Sequence, residues 1–269
     1  MTFHLGPALL FCPANRPDRF EKALERADAA IIDLEDAVAP DDREDAREAL
    51  VQTALDPARV IVRLNPVGSH DFSADLSALE ATAYRFVMLP KAEHPDAAAA
   101  VAGYSVIALC ETAAGVLAAP DIAREPNVVA LMWGAEDLVA SLGGTSSRFA
   151  DGRYRAVADH ARSSVLLAAG AAGIAAIDTV HLDIADLDGL SEEATDAAAS
   201  GFAATACIHP SQVEIIRGAY RPSDAEVAEA RAVIAVAARE HGVFRHGDRM
   251  VDGPVLRHAE AVLRRAGHA

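Results

Sequence analysis

The chain has 269 residues, room for one α/β barrel of about 250 residues and a short extension. Its 24 Lys and Arg against 40 Asp and Glu leave a net charge of −16, and with no dense basic run this excludes a nucleic-acid backbone as partner. Hydrophobic residues make up 52% of the chain, yet charge interrupts every long apolar run, so no membrane-spanning helix is expected. Three scattered cysteines, and a start (Met1-Thr2-Phe3-His4) without a basic-then-apolar leader, point to a reduced cytoplasm.

Short aliphatic runs alternate with helical stretches along the chain. A strand at 8–12 precedes a helix at 15–26, and a strand at 29–34 precedes a helix at 41–55, each helix opening at an Asn or Asp cap. A strand at 60–64 leads to a helix at 73–82, and strands at 86–89, 106–110 and 128–133 follow. A long helix at 154–170, a strand at 176–180, a helix at 191–199 and a strand at 204–208 complete eight βα units. The strands are continuous apolar runs, as expected where both faces are covered. The pattern predicts an eight-fold (β/α) TIM barrel over residues 1–220 and a C-terminal helical extension over 221–269. Within the extension, Ser223 and Glu226 form a capping box for a helix running to about residue 241. A glycine-bearing loop at 242–254 then leads to an amphipathic helix ending near Arg265.

Charged and polar residues recur at the C-terminal edges of these strands, and in a barrel those edges form one face, where active sites are assembled. Asp33, Glu35 and Asp36 follow the second strand, Arg63 and Asn65 close the third, and Lys91 follows the fourth. Glu111 ends the fifth, Glu136 and Asp137 follow the sixth, His181 and Asp183 the seventh, and His209 the eighth.

Glu111 and Asp137 stand at adjacent strand ends. Two carboxylates completed by water and other oxygens suit a hard divalent cation, and the lack of nearby His pairs argues for magnesium over zinc. The competing reading pairs Glu111 with Arg63 and binds nothing. Arg63 offers a guanidinium fork to a substrate carboxylate; its competing role is a structural pair with Asp33, Glu35 or Asp36, which read as partners holding such groups in place. Gly134-Ala135-Glu136-Asp137 turns a strand into a helix, so the backbone of Ala135 and Glu136 is a receptor for an anionic group. Arg16 and Lys91 put positive charge on the same rim, suited to the phosphates of a large cofactor or equally to ordinary helix-surface pairing. His209 reads either as a site group or as a satisfied structural imidazole. Cys12, Cys110 and Cys207 lie inside strands and read as buried small hydrophobes.

These residues also carry a resemblance along nearly the whole chain to the citrate lyase beta-subunit group of the HpcH/HpaI aldolase and citrate lyase superfamily. The matching stretches are Leu10-Phe11-Cys12-Pro13-Ala14-Asn15-Arg16-Pro17, Asp33-Leu34-Glu35-Asp36-Ala37-Val38, Val62-Arg63-Leu64-Asn65 and Leu89-Pro90-Lys91-Ala92-Glu93. Further along come Glu111-Thr112-Ala113-Ala114-Gly115-Val116, Gly134-Ala135-Glu136-Asp137-Leu138, Cys207-Ile208-His209-Pro210-Ser211-Gln212 and Met250-Val251-Asp252-Gly253-Pro254. Two departures, Ala14 and Ala204-Thr205, fall where such proteins commonly carry Gly and Gly-Lys.

The resemblance implies a magnesium-dependent carbon–carbon lyase that splits a citryl-, citramalyl- or malyl-CoA type thioester into acetyl-CoA and a 2-oxo acid, on a barrel assembled as a homotrimer. Carried over by residue, Glu111 and Asp137 are its metal ligands, Arg63 with the backbone of Ala135 and Glu136 holds the substrate carboxylate, and Asp252 is the acid presented to a neighbouring subunit's site. Two other readings stand beside it: condensation in the manner of a malate synthase, with or without thioester hydrolysis, and a beta subunit active only inside a citrate lyase complex. The autonomous lyase is the favoured expectation.

Overall fold

The computed structural model describes residues 3–240 and 242–267; Met1, Thr2, His241, His268 and Ala269 lie outside the described residues, the expected helix end at 241 among them. The chain falls into two compact units, Met1–Ile216 and Arg217–Ala269, against an expected division after Tyr220.

The first unit is a closed barrel of eight parallel strands in sequence order, β8 pairing back onto β1. The strands are β1 (Ala8–Pro13), β2 (Ala29–Asp33), β3 (Val60–Arg63), β4 (Phe86–Leu89), β5 (Ser105–Cys110), β6 (Val128–Trp133), β7 (Ala175–Asp178) and β8 (Ala204–Cys207). The TIM-barrel reading is thus correct, and each strand lies within about two residues of its expected place because these runs are buried on both faces. Helices α1 (Phe20–Arg26), α2 (Arg43–Gln52), α3 (Phe72–Glu80), α4 (Asp96–Ala99), α5 (Ala113–Ile122), α6 (Ala135–Ser141), α7 (Ala156–Ala172) and α8 (Leu187–Ser200) lie between successive strands, and α9 (Val213–Tyr220) follows β8. Among the described residues no helix is long and apolar enough to cross a membrane.

The two expected side-chain caps are not formed. Helices α1 and α2 are each entered through a 3-10 turn headed by proline, Pro17 and Pro40, and no side chain caps them. Proline at the first position removes a donor that a cap would otherwise serve. Asn15 instead donates from Nδ2 to Asp42 Oδ2 at 3.2 Å.

The barrel interior is filled by Leu9, Ile31, Ile61, Met88, Ile107, Leu109, Ala130, Met132, Ile177 and Ala206. Side chains alternate along a strand, so one pleat beyond Ile31, Ile61 and Leu109 the same inward face carries Asp33, Arg63 and Glu111. The aliphatic floor and the polar rim are one register read two residues apart.

In the second unit, α10 (Asp224–Ala237) and α11 (Gly253–Ala266) pack around Ala230, Val233, Val251 and Ala259. Ser223 and Glu226 form the expected capping box: Ser223 N–H donates to Glu226 Oε2 at 2.8 Å and Glu226 N–H to Ser223 Oγ at 3.2 Å. The segment read as a plain loop contains a hairpin, β9 (Phe244–His246) paired antiparallel with β10 (Arg249–Val251). Three-residue strands show no periodicity, but Gly247-Asp248, with Gly247 at φ 58°, is a two-residue turn signal that marks them.

Candidate active site

Arg63 closes β3 beside Asp33, which closes β2 in direct register with it. Its Nε and Nη2 donate to Asp33 Oδ1 and Oδ2 at 2.7 and 2.6 Å, a bidentate fork that fixes the guanidinium plane. Nη1 lies 3.1 Å from Glu35 Oε2, and the Phe11 ring centroid is 4.9 Å from Arg63 Cζ. Burial works against the guanidinium's charge, but the hydrogen bonds and charge of Asp33, aided by Glu35 and Glu111, outweigh it and hold Arg63 ionised. The structural pairing with Asp33 and Glu35 is therefore formed. On its Nη1 side the fork faces Glu35, outside the bidentate grip of Asp33.

Glu111 does not pair with Arg63. Its Oε1 accepts the backbone N–H of Lys91 at 3.0 Å, and Gly134 lies against its other flank, where an added Cβ would stand 2.8 Å from Glu111 Cβ and 3.0 Å from Oε2. The carboxylate is thus seated between the ends of β4 and β6. Burial, followed by the charges of Asp137 and Glu35, pushes its pKa up to about 8. Asp137, half-buried in the first turn of α6, makes no hydrogen bond or ion pair among the described residues.

Lys91 is turned into this acidic group. Its ammonium pairs with Glu35 and reaches Asp36 Oδ2 at 3.7 Å. Its backbone has φ 49°, the one left-handed non-glycine residue among those described. Glu35 is buried, and burial raises its pKa against the pull of Arg63 and Lys91. Its Oε2 has no hydrogen-bond partner among the described residues. Arg16, the other cation expected at phosphates, is exposed and paired with Asp18 at 3.0 Å.

Ala135 is buried, and Glu136 is exposed but accepts a hydrogen bond from Ser147 Oγ. The N–H groups opening α6 have no acceptor within the helix. His209 heads the turn after β8: its Nδ1 accepts from Ser211 N at 3.2 Å while Gln212 completes a capping box, which satisfies the structural reading of that imidazole. Cys12, Cys110 and Cys207 are buried free thiols, and burial pushes the Cys12 pKa up to about 11. Asp252 belongs to the second unit and caps α11, accepting from Val255 N at 3.2 Å.

The donor set fits a hard cation held partly by the protein. Glu111 and Asp137 supply carboxylate oxygens, and Glu111 is held close to a second and a third acid, whose charges add to burial in raising its pKa. Among the described residues no group of three or more His, Cys, Asp or Glu forms a complete cage. Magnesium commonly takes one or two carboxylates and completes its octahedron with water and substrate oxygens.

Beside this group, a cavity of about 1030 Å³ opens on the β6–β7 side, lined by Glu136, Arg148, Tyr154, Asp178, His181 and Glu193 among others. Arg148 and His181 there share Glu193, so its cations are already matched. These residues, and the Trp133–Asp178 hydrogen bond beneath them, were not singled out as site groups from sequence, apart from Glu136 and His181.

The family model for HpcH/HpaI aldolase/citrate lyase matches residues 8–210. A crystal structure of protein CitE from Mycobacterium tuberculosis, in complex with magnesium, acetoacetate and coenzyme A, is 56% identical, covers 98% of both chains and superposes with a TM-score of 0.92. A citrate lyase beta subunit from the same organism, complexed with oxaloacetate and magnesium, is 57% identical over 81% of this chain and 98% of its own, with a TM-score of 0.80. At greater distance are a (3S)-malyl-CoA thioesterase of Cereibacter sphaeroides, 34% identical over 97% of this chain and 93% of its own. A mitochondrial citramalyl-CoA lyase of Rattus norvegicus is 30% identical over 95% and 84%.

Proposed function

The chain belongs to the HpcH/HpaI aldolase/citrate lyase family, and on that premise we propose that it is an autonomous magnesium-dependent lyase cleaving a 3-hydroxyacyl-CoA of the citryl, citramalyl or malyl type. The observation that carries this reading is the Glu111–Asp137 pair, two neighbouring carboxylates at the mouth of the barrel beside a buried, ionised arginine. Its relatives' complexes with magnesium, coenzyme A and oxaloacetate support the same ligands here.

Glu111 and Asp137 would hold the metal, which when bound supplies Lewis acidity toward the oxygens of the oxo-acid half of the substrate. Arg63 receives the substrate carboxylate on the side of its fork that Asp33 leaves open, and the N–H groups of Ala135 and Glu136 serve the same carboxylate. Lys91 keeps Glu111 in place through its backbone and neutralises Glu35 through its ammonium. The cleavage passes the proton of the substrate hydroxyl to solvent and breaks the carbon–carbon bond. The bonding pair passes to the thioester half as an enolate, and a proton returned to its carbon gives acetyl-CoA and a 2-oxo acid. We assign that last proton to Asp252, presented by the second unit to the barrel of a neighbouring subunit in a homotrimer. Arg16 is assigned to the phosphates of CoA. The three buried thiols suit a reducing cytoplasm.

The resemblance to a malyl-CoA thioesterase favours a second reading, hydrolysis of the thioester in the same site. One experiment separates them. The purified protein is incubated with magnesium and a panel of malyl-, citramalyl-, citryl- and 3-hydroxy-3-methylglutaryl-CoA, with Glu111→Ala as control. Acetyl-CoA together with an oxo acid, absent in the control, supports the lyase; free CoA with the intact hydroxy acid supports the hydrolase. Silence from folded, magnesium-loaded protein overturns both and leaves the subunit of a larger complex.

A further inference from the structure

The sole tryptophan of the chain, Trp133, ends β6 only four residues before Asp137 and is fully buried. The pleat that sends Met132 into the barrel sends Trp133 outward, into the layer of helices. There its Nε1 donates to Asp178 Oδ1 at 2.6 Å. Asp178 ends β7 and faces outward for the same reason, one residue past the inward Ile177. Arg162 of α7 grips it, with Nη2 2.8 Å from Oδ2 and Nε 3.2 Å from both oxygens, and reaches on to Asp196 of α8 at 2.6 Å. The Tyr154 ring meets the indole edge-on, with centroids 5.2 Å apart and planes at 70°.

This is an expensive way to fill space. A buried carboxylate–guanidinium pair must recover its desolvation cost through geometry, and apolar residues of similar volume commonly serve stability as well. What the polar chain adds is direction, because an indole N–H aimed at an anchored carboxylate fixes the roll of the ring about the strand. That roll has a short path to the site. Gly134 continues the extended backbone of β6 at φ −127° and ψ 120°, lies against Glu111, and hands the chain to the first turn of α6, which carries Asp137. The far side of that turn is tied as well, through Ser147 and Glu136.

We propose that Trp133, Asp178 and Arg162 form a positioning device for the metal site, setting the approach of Asp137 to Glu111, and that the indole of Trp133 senses the occupancy of that site. The inference rests on the reading of Glu111 and Asp137 as magnesium ligands.

The test is magnesium titration of the full-length protein, followed by calorimetry and by tryptophan emission. In the wild type, emission changes with the calorimetric midpoint. Trp133→Phe keeps the ring, loses the N–H and weakens magnesium binding by about 10-fold, as partners behind metal ligands commonly do. Asp178→Asn keeps an acceptor for the indole, weakens binding less and diminishes the emission change; it carries the test if Trp133→Phe does not fold. Asp196→Asn, which removes only the charge of the outer, exposed partner of Arg162 and leaves the Arg162 grip on Asp178 in place, leaves magnesium affinity within about twofold, as expected of an exposed ion pair. Unchanged magnesium affinity in folded Trp133→Phe and Asp178→Asn overturns this inference alone, as does an equal loss in Asp196→Asn. A wild type that binds no magnesium overturns the metal reading and this inference with it.

Discussion

Lys91 donates its backbone N–H to Glu111 Oε1 from a left-handed conformation, φ 49°, while its ammonium reaches back to Glu35. One residue thus holds one carboxylate with its main chain and another with its side chain. A side chain in this backbone region costs about 1 kcal/mol relative to glycine. Lys91→Gly and Lys91→Ala both lose the ammonium, but only the alanine variant keeps the strain. Urea denaturation is expected to show Lys91→Gly more stable than Lys91→Ala by about 1 kcal/mol. Equal stabilities would mean that the loop relaxes and the conformation is not imposed by the site.

The burial of Glu111 beside Asp137 and Glu35 has a sign. With its pKa raised to about 8 in the folded metal-free protein, the folded state binds more protons than the unfolded state across the range between the ordinary carboxylate value and 8. Stability of the metal-free protein therefore falls as pH rises through that range and levels off above it. Glu111→Gln removes this slope. Magnesium must displace the same proton, so its affinity rises by up to about tenfold per pH unit below 8 and flattens above. Calorimetry between pH 6 and 9 measures this, and a flat profile would place the proton elsewhere.

Gly134 tests the closeness of the two strand ends. Its φ of −127° is open to alanine, so the cost of Gly134→Ala is steric, a methyl group 2.8 Å from Glu111 Cβ. Crowding of this kind costs about 1–3 kcal/mol. The variant is expected to fold with a lower melting temperature and to bind magnesium more weakly. Wild-type affinity would show that Glu111 yields without leaving its place.

Much of this architecture was legible in the residues. The eight strands declared themselves because continuous Val, Ile, Leu and Ala runs mark strands covered on both sides, and Glu111, Arg63 and Asp137 declared themselves because charge at those ends is out of character with the runs before it. Other features depend on partners distant in sequence. Nothing near Lys91 announces a left-handed lysine, since its partners Glu35 and Glu111 are distant in sequence. Trp133 and Asp178 meet only because β6 and β7 are neighbours whose last residues share an outward pleat. The proline-headed turns before α1 and α2 show a local signal outweighing another equally local one.

Asp252 caps α11, and its proposed chemistry is separable from that duty. Asn caps helices about as well as Asp, whereas Ala costs about 1 kcal/mol. Asp252→Asn is expected to keep the melting temperature while losing turnover, and Asp252→Ala to lose both. Mixing Asp252→Asn with Arg63→Ala, after verified subunit exchange, is expected to restore part of the activity, because some sites then combine an intact Arg63 with an intact Asp252 from a neighbour. No recovery would confine the acid to its own barrel or remove it from the reaction.

The shared register of floor and rim has a further consequence for how such a protein tolerates change in length. Asp33, Arg63 and Glu111 face inward only because each stands an even number of residues beyond Ile31, Ile61 and Leu109. Deleting one residue within β5 would keep every neighbouring strand and the composition of the chain, yet it would exchange the two faces of everything beyond the gap. Glu111 would then stand in the outward place of Cys110, and Thr112 would take its place at the mouth. Connections at the far end of the barrel, away from Glu35, Lys91 and Gly134, can change length by single residues, while the strands themselves can change length only in twos.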